Sequence, residues 1–221
     1  MKKFISVILS ALILSTVLTA CGGSPNSQTL AGSANGGDKD TYKIAIVQPM
    51  SHTSLDQIRD TIVAELGNSD QDIVIDTKNA NGDSTALSTI LENCKAEGVD
   101  LVIPIATSTA QSAKAVFDGT GTPIVFAAVS DPAAAGLTGE DCQNIPRVSN
   151  NIPAAEIVKL IFNFQPDCQK IGFLYTSSEA NSVSTIAAAK AYCDQEHIAY
   201  EEVSIANLSE LQTAAETLIS R

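Results

Sequence analysis

Three stretches rich in hydroxyl and amide side chains each follow an apolar run and precede a helical pattern. They are Gln48-Pro49-Met50-Ser51-His52-Thr53, Ala106-Thr107-Ser108-Thr109-Ala110-Gln111 and Thr176-Ser177-Ser178-Glu179-Ala180-Asn181-Ser182. A helix start carries about half a positive charge and backbone N–H groups with no partner inside the helix, so it favours a carboxylate or a phosphate. Ser and Thr are also the commonest helix caps, and capping needs no ligand. What favours binding is that two of these turns would come from different halves of the chain and could face one cleft. Ser130-Asp131-Pro132 adds an acid, and Asp131 either receives a ligand ammonium or caps the next turn. Glu179 and Asn181 are open in the same way. His52 is a lone histidine in a loop, and the other histidine, His197, is far away in sequence.

Several chemistries are absent. The chain has no Gly-x-x-x-x-Gly-Lys phosphate loop, no Gly-x-Ser-x-Gly elbow and no Gly-x-Gly-x-x-Gly fingerprint. No Ser/His/Asp or Cys/His set is legible, so the expectation is a binding protein without cofactor, and not an enzyme. An extracytoplasmic enzyme would need a nucleophile–base pair or a metal.

The elements that must position these turns alternate. Short apolar strands are expected at 43–47, 73–75, 101–105 and 124–129, with helices over 54–66, 84–97 and 110–117. The strands are continuous apolar runs, the pattern of strands buried on both faces in a parallel sheet. Strand–helix alternation over this length indicates a doubly wound α/β sheet. Residues 133–151, rich in Ala, Gly, Asn, Pro and Ser, break the rhythm. It resumes with a helix over 154–164, a strand at 171–175, a helix over 181–197, a strand at 199–205 and a helix over 208–218. Two α/β lobes follow, 42–148 and 149–221. A second sheet of two strands leaves edges uncovered, so lobe two reads as incomplete.

Residues 1–20 have the parts of a secretory signal: Lys2-Lys3, an apolar run from Phe4 to Leu18, then Thr19-Ala20. The run is shorter than the roughly 20 residues that span a bilayer. Leu18-Thr19-Ala20-Cys21 resembles the bacterial lipobox, in which the Cys thiol takes a diacylglycerol and the signal is removed. Residues 21–41 are mostly Gly, Ser, Asn and Asp and read as a flexible tether. The net charge of −12 becomes −14 once Lys2 and Lys3 leave with the signal. So acidic a chain does not suit nucleic acid and is repelled by anionic lipid, which leaves the acyl chains of Cys21 as the membrane attachment. Cys94, Cys142, Cys168 and Cys193 form no Cys-x-x-Cys pair, which speaks against zinc. An extracytoplasmic setting permits disulfides, and the sequence leaves their pairing open.

Asn79-Ala80-Asn81-Gly82-Asp83, Ala106-Thr107-Ser108-Thr109-Ala110-Gln111, Ala128-Val129-Ser130-Asp131-Pro132 and Tyr175-Thr176-Ser177-Ser178-Glu179-Ala180-Asn181-Ser182 occur in an order and spacing that resemble one family. It is the ABC-transporter substrate-binding lipoproteins similar to tryptophan- and tyrosine-binding proteins, and the resemblance covers residues 43–221. It implies a two-lobed type I periplasmic-binding-protein fold that closes on its ligand by a hinge. It further implies an aromatic amino acid or similar zwitterion as ligand, and a membrane permease with its ATPase as partner. By the same resemblance Thr107, Ser108 and Gln111 bind from lobe one. Ser177, Ser178, Glu179, Asn181 and Ser182 bind from lobe two, and Asp131 and Asn150 line the cleft near the hinge. The chain departs from the family at Pro146-Arg147, where Thr-Gly is expected. The implied role is the lipid-anchored, extracytoplasmic receptor of an ABC importer. The same fold also serves lipoproteins that sense a ligand and signal to a membrane partner.

Overall fold

The structure is a computed structural model that describes residues 41–149 and 151–220. The leader, Cys21, most of the tether and Asn150 lie outside the described residues. The described residues belong to one compact unit. Its strands are β1 (Tyr42–Gln48), β2 (Ile73–Asn79), β3 (Leu101–Pro104), β4 (Phe126–Val129), β5 (Arg147–Ser149), β6 (Lys170–Thr176) and β7 (Ala199–Ile205). Its helices are α1 (Thr53–Gly67), α2 (Ser84–Ala96), α3 (Thr107–Phe117), α4 (Ala154–Phe164), α5 (Ala180–Gln195) and α6 (Leu211–Ile219).

The first sheet is parallel. β1 lies between β2 and β3, parallel bridges Val102 to Ile124 and Ile105 to Ala127 carry it towards β4, and β4 pairs with β5. Alternation along β1 explains why its apolar run is unbroken. Ala45 and Val47 enter the core under α2 and α3, with Leu91, Phe117 and Phe126. Ile44 and Ile46 enter the opposite core under α1, with Leu55, Ile58 and Ile62. Both faces of the strand are dry, so both sets of side chains are apolar. The edge strand β2 is only partly covered, with Val74 exposed. Asp76 and Lys78 on that edge pair at 2.8 Å, and such charges discourage pairing with a further strand.

In the second half β6 and β7 pair in parallel along their whole length. α4 and α5 cover one face, burying Val158, Ile171, Phe173, Ala189 and Cys193. α6 packs on the other. A Cβ on Gly172 of β6 would lie 2.9 Å from Leu218 Cδ2, so the missing side chain lets α6 sit close. The helix expected over 154–164 has those bounds. Ser149, read as the first residue of the second lobe, pairs instead with Val129 in the first sheet. The irregular segment thus contains a short strand, β5, that the sequence pattern did not mark.

Candidate functional site

The turn after β1 closes on itself. Gln48, 1% exposed, donates from Nε2 to the Met50 carbonyl (3.0 Å) and to Asp56 Oδ1 (2.8 Å). Arg59 Nη1 donates to Gln48 Oε1 (3.2 Å) and Asp56 Oδ1 (2.8 Å). His52 is the N-cap of α1, its Nδ1 accepting the Ser54 N–H at 3.3 Å. Polar groups here are matched to one another, so the turn offers little to a ligand.

The start of α3 differs. Its N-cap is Ala106, at φ 76° and ψ 162°, and no side chain caps the helix. That backbone region is nearly confined to glycine. Thr107 and Thr109 are buried and Ser108 is half-exposed. The Thr109 hydroxyl has no partner among the described residues. Gln111 donates from Nε2 to the Ala135 carbonyl at 3.1 Å and braces the loop after β4.

At α5 the N-cap is Glu179, again without a side-chain cap. Burial alone pushes its carboxyl above the ordinary 4.5. Ser177 is tied to the end of β7, its N–H and hydroxyl both donating to the Ile205 carbonyl (2.9 and 3.2 Å). Ser178 is exposed, Ser182 is half-buried, and Asn181 Oδ1 is buried with no partner. α3 and α5 pack against each other, so the two uncapped helices meet across the halves. Asp131, open between two roles in sequence, serves the turn: its Oδ1 accepts the Ala134 N–H at 2.9 Å.

A cavity of about 260 Å³ lies between the halves. Ser130 and Asp131 line it from one side, and Asn151, the start of α4, Ser184, Thr185 and Ala188 from the other. Among the described residues singled out in sequence, Ser130 and Asp131 line it. Ser184 and Thr185 were missed because they sit inside a helix whose faces the sequence does not distinguish. A larger hollow of about 630 Å³ lies beside α1 over β3 and β4, walled mainly by Ile58, Ile62, Ile103, Val125 and Ala127. It is a stretch of sheet face beside the first three turns of α1, and its lining includes no residue of α3 or α5. Among the described residues no three His, Cys, Asp or Glu side chains gather as a metal site. Cys94, Cys168 and Cys193 are free thiols.

The sequence model for ABC transporter substrate binding proteins matches residues 43–221. The chain belongs to that family. It is 28% identical to a tyrosine-binding protein of Clostridioides difficile strain R20291, over all of this chain and 65% of that one. A solved structure described as an ABC domain in complex with L-Trp, from Streptococcus pneumonia, is 33% identical. It superposes with a TM-score of 0.75 over 82% of this chain and 63% of that one. A leucine-binding protein from Thermotoga maritima, 13% identical, shares the fold alone, with a TM-score of 0.62 over 80% of this chain and 54% of that one. The fold is that of a type I periplasmic binding protein. The chain spans less than two thirds of the length of each of these proteins.

Proposed function

We propose that this family member binds a small zwitterion of the amino-acid kind between its two halves, as the solute receptor of an ABC importer. One observation carries the reading: α3 and α5 pack together across the halves, and both begin without a side-chain cap. A solute carboxylate would take the open N–H groups and the Ser108 hydroxyl at the α3 start, where the helix charge favours an anion. Its ammonium would face the acceptors at the α5 start, Glu179 and Asn181 Oδ1. The L-Trp complex of the relative supports a zwitterion of this class.

Calorimetry with a panel of L-amino acids tests the reading. Heat of binding with at least one of them, lost in Ser108→Pro and in Glu179→Ala, is the expected result. A folded chain that gives no heat with any small zwitterion would overturn it. The lipid anchor at Cys21 belongs to the same proposal and places the receptor on the extracytoplasmic face of the cell membrane. Cys21→Ala should move the protein from the membrane fraction to the soluble fraction, because two or more acyl chains are what hold a soluble domain to a bilayer.

A further inference from the structure

The head-group placement proposed above does not use the polar lining of the cavity between the halves. The helical spacing of α5 connects the two places. Asn181, Ser184, Thr185 and Ala188 stand at i, i+3, i+4 and i+7, which puts them on one face of the helix. That face begins with the unpartnered Asn181 Oδ1 and continues, one and two turns on, as a wall of the cavity. A solute held by its head group at the α5 start would therefore lay its far end along Ser184 and Thr185, towards Ser130 and Asp131.

The chemistry of the lining says what that far end should be. The cavity has no aromatic wall, and its charged member is Asp131. One Asp131 oxygen is engaged by the Ala134 N–H, and the other accepts no bond among the described residues. The hydroxyls of Ser130 and Thr185 likewise have no partner among the described residues. At about 260 Å³ the space is below the roughly 300 Å³ at which drug-sized pockets begin, and it suits part of an amino acid. Resting on the solute-binding reading above, we infer that the cavity selects solutes whose distal end donates a hydrogen bond, with Asp131 as the acceptor and Thr185 beside it. A bare hydrocarbon end would leave these groups dry and unpaired, which costs far more than a lost methylene.

The test compares shape-matched probes by calorimetry on the full chain: L-tyrosine against L-phenylalanine, and L-glutamine against L-leucine. The donor-bearing member of each pair should bind at least about tenfold more tightly. Asp131→Asn, whose amide oxygen can still accept from Ala134, should shrink that preference about tenfold with the circular dichroism unchanged. Thr185→Val should shrink it less. Equal binding within both pairs, or a preference untouched by Asp131→Asn, overturns the inference while leaving solute binding intact. No heat with any of the four, while another L-amino acid binds, overturns the inference alone, and no heat with any small zwitterion overturns both.

Discussion

The starts of α2 and α3 face the same electrostatic problem and answer it differently. At α2, Asp83 sits in extended backbone as N-cap, and its Oδ1 accepts the N–H groups of Thr85 (2.7 Å) and Ala86 (3.0 Å). At α3 the corresponding residue is Ala106, with no group to offer and a strained φ of 76°. α1 follows the first pattern through His52, and so does the 3-10 turn leading into α6, where Asn207 Oδ1 accepts from Ser209. α4 and α5 follow the second. The difference separates two uses of a helix start. Where the donors are satisfied internally the helix gains stability, and where they are left open, on helices that meet between the halves, they remain available to an anion. Ala106 donates its N–H to the Ala127 carbonyl at 3.0 Å, and the neighbouring Ala128 is also at positive φ, 57°. Backbone strain is thus concentrated where strand ends turn into the open helix start.

The largest effect should come from relieving that strain. A non-glycine residue held in such a region costs on the order of 1 to 3 kcal/mol, and a glycine there gives back roughly 0.5 to 1 kcal/mol in chain entropy. Ala106→Gly should therefore stabilise the fold by about 1 kcal/mol or somewhat more, read as a higher urea midpoint at unchanged slope. A lower midpoint would show that the backbone at the open start is not strained, and the contrast would lose half its content. The opposite experiment sits at the closed start. Asp83→Ala should cost about 1 kcal/mol and leave amino-acid binding alone. Weaker binding in that variant would mean that capped starts also take part in the site.

Much of this molecule could be read from its residues, and the failures have physical causes. The helix at 154–164 was bounded in sequence because Ile157, Val158, Leu160, Ile161 and Phe164 repeat at helical spacing and Pro166 stops the chain. β1 and β3 were legible because dry faces demand uninterrupted apolar residues, whereas β2 runs past the expected 73–75 to Asn79 through the polar residues of a partly covered edge. β5 was not, because three residues beside Pro146 carry no periodicity. The polarity of the helix starts was half legible. Hydroxyl-rich turns marked the right places, yet Ala106 and Glu179, not a Ser or Thr, occupy the cap positions. Whether a hydroxyl caps a helix depends on one backbone dihedral that composition does not encode. The wall formed by Ser184 and Thr185 was hidden for another reason. α5 is rich in Ala, so its apolar residues do not mark which side faces the core.

The smallest effect tests the open start of α5 through pH. Burial holds the Glu179 carboxyl above the 4.5 of an ordinary glutamate, the value it keeps in the unfolded chain. Between 4.5 and the raised folded value the native state therefore binds more protons than the unfolded one. Stability contributed by this group must then fall as pH rises through that window, being undiminished below it and fully reduced above it. Glu179→Gln has no such titration. The stability of the variant relative to the parent should grow as pH rises above 4.5 and level off above the raised folded value, when urea unfolding is followed across that range. A solute ammonium prefers the ionised carboxylate, so parental affinity should rise over the same window and the variant should flatten it. Stability curves that run parallel at every pH would mean that Glu179 is not desolvated at the open start. Of the two open starts that pack together between the halves, α3 alone would then carry the contrast.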